Sequence, residues 1–304
     1  GRNLIRKLTK NNYKVTAVTR NLHQRGYLLK TQANPGYIDI VECSIFDEDK
    51  IRKLMKEADI CINLVGILYE KNKTNSFVNI HEKFPSFLSY LCNEYKVEKF
   101  IHLSAMGIEQ ATDSIYAQSK VNGEINIEKN FTRSVILKPS IVYSVDDSFT
   151  TNFMTLLNRL PIFPLYYNGK TKFIPIYCSD LNEIIYQVIF QNIGTRKIEC
   201  IGNETFTLKE ILQKLLKLMN KKRLLLPMPL WLSKFTAYFF QLFPKPLLTI
   251  DQLRLLKYDN VKSGKFKTNF DLNIPALSSF DLEVKKYCYM WKKEGQFSQD
   301  KYKK

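Results

Sequence analysis

The sequence predicts an α/β protein with a doubly wound parallel sheet and a smaller α-rich lobe toward its C-terminus. Three observations carry this expectation. The first half alternates short apolar runs with amphipathic helical stretches, the pattern of parallel strands joined by crossover helices. One such run, Ile60-Cys61-Ile62-Asn63-Leu64-Val65, is nearly continuous, as a strand buried on both faces would be. After residue 145 the rhythm changes, and Pro161, Phe163, Pro164, Tyr166 and Tyr167 cluster as in a lobe laid over strand ends.

Taken in order, Leu4, Ile5 and Leu8 have helical spacing, and Lys14 to Thr19 reads as a strand. Ile38 to Cys43 is a second strand, after which Asp47 is placed to cap a helix running to Ala58. The strand from Ile60 to Val65 ends at Gly66. A helix follows from Asn75 to Tyr95, in which Pro85 must kink the chain or mark a restart. Further strands are expected at Phe100–Leu103, Ser134–Leu137 and Lys172–Tyr177. Helices are expected at Ile115–Lys129, from Ser179-Asp180 to Gln191, and at Leu208–Met219. The expected organisation is a first domain over 1–145, a lobe insertion over 146–170, a return to the sheet over 171–195 and a C-terminal lobe over 196–304.

Composition narrows the function classes. The chain is 45% hydrophobic and 25% charged, as in an ordinary globular protein, and no apolar run nears the ~20 residues needed to cross a bilayer. Six cysteines occur without a CxxC pair, several inside apolar stretches, so reduced buried thiols are expected. The three histidines have no neighbour at metal-ligand spacing, and no metal is expected. The net charge of +17 points to an anionic membrane surface or an acidic partner. Nucleic acid is not expected, because the lysines are dispersed and no basic-aromatic motif accompanies them.

The most specific motif is Tyr116-Ala117-Gln118-Ser119-Lys120 at a helix start. A spacing of four puts phenol and ammonium on one helix face. A nearby cation would lower the Tyr116 pKa toward acid–base duty. The preceding strand ends in Leu103-Ser104, whose hydroxyl would polarise a substrate carbonyl. Ser104, Tyr116 and Lys120 are therefore the candidate catalytic set. His102, in that strand, reads as a core residue. His81 follows Asn79 on a helix near the cleft and stays open.

These residues resemble the extended or atypical short-chain dehydrogenase/reductases, a Rossmann-type superfamily. Gly1-Arg2-Asn3-Leu4 is similar to the last glycine and helix start of its phosphate loop. Asn63-Leu64-Val65-Gly66, Val78-Asn79-Ile80 and Lys138-Pro139-Ser140-Ile141-Val142-Tyr143 follow in the same order. In detail the chain is most similar to bacterial relatives of the alpha-subcomplex subunit 9 of NADH:ubiquinone oxidoreductase (complex I). The supporting stretches are Ile62 to Glu70, His102 to Gly107, Phe173 to Tyr177 and Leu247 to Leu256.

The resemblance covers residues 1 to about 220 and implies a first strand and most of a glycine-rich turn ahead of Gly1. It implies a dinucleotide held by Gly1, Ser44, Val65, Gly66, Asn79, Tyr116, Lys120 and Pro139. Ser44 stands where relatives carry an adenine-contacting aspartate, and Ser144 replaces their usual glycine. Arg20 lies just past the Lys14–Thr19 strand, which the resemblance makes the second of the fold, where an acid would select NAD and an arginine accommodates the 2′-phosphate of NADP. NADP(H) is favoured and NAD(H) is the alternative, with Arg25 a second candidate cation.

Residues 227–258 are rich in aromatics. Trp231 to Phe243 is too short to span a bilayer but suits an interface or a partner surface, or a lid over the protein's own lobe. The basic, aromatic tail from Tyr287 to Lys304 suggests no mechanism. Two functions compete. The first is an accessory or assembly subunit of complex I with NADP(H) as a structural ligand, peripheral to the bacterial inner membrane or on the mitochondrial matrix side. The second is an active reductase, epimerase or dehydratase acting on a carbonyl or sugar-nucleotide substrate. A regulator that senses dinucleotide without chemistry is a third reading.

Overall fold

A computed structural model describes residues 1–191, 194–241, 243, 246, 248–293 and 295–297. Helix α1 (Arg2–Lys10) turns Leu4, Ile5 and Leu8 to the core, as their spacing requires. It leads through β1 (Val15–Thr19), α2 (Leu22–Lys30), β2 (Ile38–Glu42), α3 (Glu48–Met55) and β3 (Ile60–Asn63). A π-type turn (Val78–Lys83) runs directly into α4 (Phe84–Glu94), followed by β4 (Lys99–Leu103), α5 (Ile115–Asn130) and β5 (Ser134–Pro139). Next come β6 (Val142–Tyr143), α6 (Thr150–Arg159), β7 (Ile162–Leu165), β8 (Lys172–Phe173), β9 (Ile176–Tyr177) and α7 (Cys178–Phe190). The chain finishes with β10 (Lys197–Cys200), β11 (Phe206–Thr207), α8 (Leu208–Leu218), β12 (Leu224–Pro227), α9 (Leu230–Phe240), α10 (Ile250–Leu255), β13 (Lys267–Thr268) and α11 (Phe280–Cys288).

The main sheet is parallel, in the order β13-β10-β5-β4-β3. Every residue of β5 is buried, as a strand covered on both faces must be. On one face Ile101, Leu137 and Ile198 pack with Leu4 of α1 and Ile184 and Val188 of α7. On the other, Phe100 and Ile136 meet Leu91 and Cys92 of α4 and Ile127 of α5. A separate core joins Met154 and Leu157 of α6, Ile211 and Leu215 of α8, and Val284 of α11. Strands β10 and β13 lie in the stretch expected to form the C-terminal lobe, yet they extend the main sheet.

Strands β1 and β2 form their own parallel ladder. Among the described residues β1 and β3 are not paired with each other. In the doubly wound order the place between them belongs to the strand that feeds the first helix. Val15 and Ile60 still pack against a common core beneath that place.

Pro85 marks a restart, one of the two expected outcomes: the π-type turn ends at Lys83 and α4 begins at Phe84, with Pro85 in its first turn. A proline cannot donate to the carbonyl four residues back and crowds it, which here is that of His81. The wider π turn relieves that crowding. Gly123 of α5 then comes so close that a Cβ there would lie 1.9 Å from the His81 carbonyl oxygen. The stretch expected as one strand over 172–177 is two short ones, β8 pairing with β11 and β9 with β6. Helix α9 ends at Phe240, short of Phe243; residues 242, 244, 245, 247, 294 and 298–304 of the two C-terminal stretches lie outside the described residues.

Candidate functional site

The candidate residues gather at the carboxyl ends of the parallel strands, where ligands bind open α/β sheets. Arg20 follows β1, Ser44 follows β2, Val65 and Gly66 follow β3, Ser104 follows β4, and Pro139 ends β5. Gly1 lies beside the β3 end, a Cβ there being 4.0 Å from Leu64. It precedes α1 with no side-chain cap, so the helix N-terminus opens on the same crevice. Arg2 pairs with Asp146 at the crevice rim.

Gly66, His81, Tyr116 and Lys120 converge. A Cβ on Gly66 would lie 3.4 Å from Lys120 Nζ and 3.8 Å from His81 Nε2. Lys120 is nearly fully buried and donates to the Leu103 carbonyl at 3.2 Å. Burial drives its pKa down to about 8, opposed by Glu124. His81 Nε2 accepts from Ile67 N at 3.1 Å, so Nδ1 carries the proton toward Ser119 Oγ at 2.9 Å. Burial and the Lys120 charge lower the His81 pKa to about 3, keeping it neutral. Ser119 in turn donates to the Tyr116 carbonyl at 2.8 Å. The Tyr116 ring is held edge-on by Phe77 and His81, at centroid distances of 5.8 and 5.3 Å.

Two expected roles change. The Tyr116 pKa is pushed up to about 12 rather than lowered, because burial and the Asp251 carboxylate both oppose the phenolate. Ser104 donates its proton to Glu124 Oε1 at 2.5 Å. Glu124 also accepts from the fully buried Lys138 at 2.5 Å and from Lys197 at 3.1 Å, and Glu109 and Glu128 complete the network at 2.6 and 3.2 Å. A hydroxyl has one proton. While it serves Glu124, Ser104 has only lone pairs to offer and no proton with which to polarise a carbonyl.

The other candidates divide. Arg20 and Ser44 are exposed, and Ser44 Oγ accepts from Phe46 N at 3.3 Å. Val65 is exposed, its N–H fixed by Asn63 Oδ1 at 3.0 Å. The Asn79 amide points at its own loop, donating to the carbonyls of Lys73 and Thr74 at 3.1 and 3.0 Å. Pro139 is buried, and its carbonyl receives Met106 N at 3.0 Å. His102 is core: Nδ1 accepts from the Asn63 amide at 3.1 Å, and buried Nε2 has no partner among the described residues.

Sequence reasoning did not find Glu124 or Asp251. Glu124 continues the Tyr116–Lys120 spacing by another four residues, a signal that was present. Asp251 comes from α10, about 135 residues away, and no local pattern announces it. A cavity of about 460 Å3 opens beside these groups, lined by Tyr69, Lys71 and Phe77 on one side and Phe243, Thr249 and Asp251 on the other.

The family model for the NAD dependent epimerase/dehydratase family matches residues 1–191. The chain belongs to the NAD dependent epimerase/dehydratase family. Solved structures similar to it include a UDP-glucuronic acid 4-epimerase from Bacillus cereus in complex with UDP-glucuronic acid and NAD. That match has a TM-score of 0.69 at 18% identity and covers 95% of each chain. The Bordetella bronchiseptica enzyme WbmG in complex with NAD matches at a TM-score of 0.70 and 11% identity, over 96% of this chain and 89% of that one. Both fix the Rossmann-type fold. Among curated relatives, NADH dehydrogenase [ubiquinone] 1 alpha subcomplex subunit 9 of Mus musculus is 23% identical over 86% of this chain and 71% of its own. The NADH-ubiquinone oxidoreductase 40 kDa subunit of Neurospora crassa is 22% identical over 90% of this chain and 72% of its own.

Proposed function

We propose that this protein is an accessory or assembly subunit of a complex I-type NADH:ubiquinone oxidoreductase that keeps a nicotinamide dinucleotide as a structural ligand. The observation that carries this reading is the Ser104–Glu124 hydrogen bond inside a buried ionic network. The dinucleotide side of the crevice stays open at Gly1 and Gly66, while the Ser104 proton is taken by Glu124. The helix N-terminus of α1 suits a pyrophosphate, with Gly66 and Lys120 toward the nicotinamide ribose. Ser44, Val65, Asn79 and Pro139 complete the crevice wall in this reading. In this reading the chain's own groups bind and orient the dinucleotide, and the hydride chemistry it could supply is left unused. Arg20, exposed at the end of β1, suits a 2′-phosphate and favours NADP(H) over NAD(H).

The relatives named as complex I subunits support the same partner, and the exposed aromatic face of α9 with the basic net charge suits a membrane-proximal position. Among the described residues no helix is long and apolar enough to cross a membrane. The proposed place is peripheral, on the cytoplasmic face of a bacterial inner membrane or the matrix face of a mitochondrial one.

A second reading, an active reductase, epimerase or dehydratase, is favoured by one observation: Tyr116 and Lys120 share a helix face beside Gly66. Purification from native membranes separates the two. Co-migration with complex I, carrying NADPH that does not turn over, is the expected result. A free monomer that oxidises NADPH with a carbonyl or sugar-nucleotide substrate overturns the accessory role. In the same preparation Arg20→Asp should shift retention from NADP(H) toward NAD(H) by about tenfold or more; an unchanged preference removes Arg20 from the 2′-phosphate site.

A further inference from the structure

Helix α5 carries Tyr116 and Lys120, and its first turn is capped from the far lobe. Asp251 of α10 accepts from Ile115 N at 2.8 Å, Tyr116 N at 3.1 Å and Ser114 Oγ at 2.8 Å. Ser114, fully buried, takes Ala117 N on its hydroxyl at 3.2 Å and Gln118 N on its carbonyl at 3.0 Å. With Ser114 N bonded to the Ala111 carbonyl at 3.0 Å, the four N–H groups that this helix start leaves without an intrahelical partner (114–117) are all satisfied, two of them by a carboxylate placed on the positive end of the helix dipole. Asp251 is itself held: Thr249 and Gln252 form a reciprocal capping box around it, and Arg254 lies 3.7 Å away.

We propose that Asp251 is a positioning residue, through which the lobe bearing α9 and α10 clamps the start of the helix that carries Tyr116. The clamp spans the 460 Å3 cavity and adjoins α9, whose aromatic face is outward. Anything that seats or displaces α9 and α10 therefore reaches Tyr116 through one carboxylate. This inference does not depend on which dinucleotide binds or on whether it reacts. The charged and titratable groups around the phenol are Asp251 from α10, Lys120 on its own helix, His81 from the π-type turn, and Glu70 and Lys71 across the cavity.

The test uses the whole chain without cofactor, so its failure is distinct from failure of the accessory reading. Amide exchange at Ile115 and Tyr116 is measured with the 13C ring resonance of Tyr116, assigned by its loss in Tyr116→Phe. Asp251→Ala should speed exchange at those two amides by about three- to thirtyfold. Asp251→Asn keeps an acceptor and removes the charge. Its single amide oxygen can serve only one of the two sides, so it should keep protection at one of the two amides and lose it at the other, while lowering the phenol midpoint by on the order of half to one pH unit. Asp47→Ala, which removes the equivalent cap of α3 (Lys50 N to Asp47 Oδ1, 3.1 Å), should move neither readout. Protection that survives Asp251→Ala, or a phenol midpoint that stays put in both Asp251 variants, overturns the proposal.

Discussion

Gly123 shows how one atom's absence sets the site. In an exposed helix, Gly→Ala would stabilise by about 1 kcal/mol. Here the added Cβ would lie 1.9 Å from the His81 carbonyl oxygen, which the π-type turn and Pro85 hold in place. Backbone on both sides leaves no flexible group to yield. Gly123→Ala is therefore expected to destabilise by about 3 kcal/mol or more, read as a fall in the urea midpoint. A midpoint equal to or above wild type would mean that the two helices separate without cost. The same contact marks the limit of sequence reading. Tyr116 and Lys120 were legible because helix geometry turns a spacing of four into one face. Gly123 and Asp251 were not, because their partners lie about 40 and 135 residues away and neither has a local signature.

Elements were legible in proportion to how much periodicity they contain. The main parallel strands stand out as apolar runs, and α8 by its stripe of Leu208, Ile211, Leu212 and Leu215. Helix α2 escaped notice because Leu22–Lys30 has a glycine at its centre and only Gly26 buried. Of the two-residue strands, β6, β11 and β13 carry no period at all, whereas β8 and β9 fall inside the run expected as one strand over 172–177. Helix α9 is the informative case, since its polarity is inverted. It buries the small Ser233 and Ala237 and leaves Trp231 72%, Phe235 66% and Tyr238 58% exposed, with Phe239 beside them. These positions recur at four and three residues, so they form one outward apolar face. Such a face is an interaction surface before it is a stability element. Trp231→Asp combined with Phe235→Asp should change unfolding free energy by under about 1 kcal/mol. The same pair should release most of the protein from sedimented native membranes. Retention at wild-type levels would remove α9 from the contact.

At the scale of the whole molecule, buried imidazoles link the site to acid stability. His81 and His102 are each about 1% exposed, and both have their pKa values lowered by burial and by the Lys120 charge. For His81 the folded value is about 3 against 6.5 when unfolded. Between those limits the unfolded chain binds more protons than the folded one, so stability falls as pH falls through 6.5. From pH 7 to pH 5 this single group costs about 2 kcal/mol, and His102 adds in the same direction. Carboxylates contribute little over that interval. Glu183, whose pKa is lowered mainly by Lys7 against its own burial, starts from an unfolded value of 4.5, below the window. Urea unfolding at pH 7, 6 and 5 should therefore show a continuous loss. His81→Gln, which retains a side-chain acceptor for Ile67 N, should remove about half of the slope. Were the slope identical in that variant, the imidazole would be protonated in the folded state. The Ile67–His81 hydrogen bond would then be lost, because a protonated Nε2 cannot accept, while Nδ1 would still donate to Ser119.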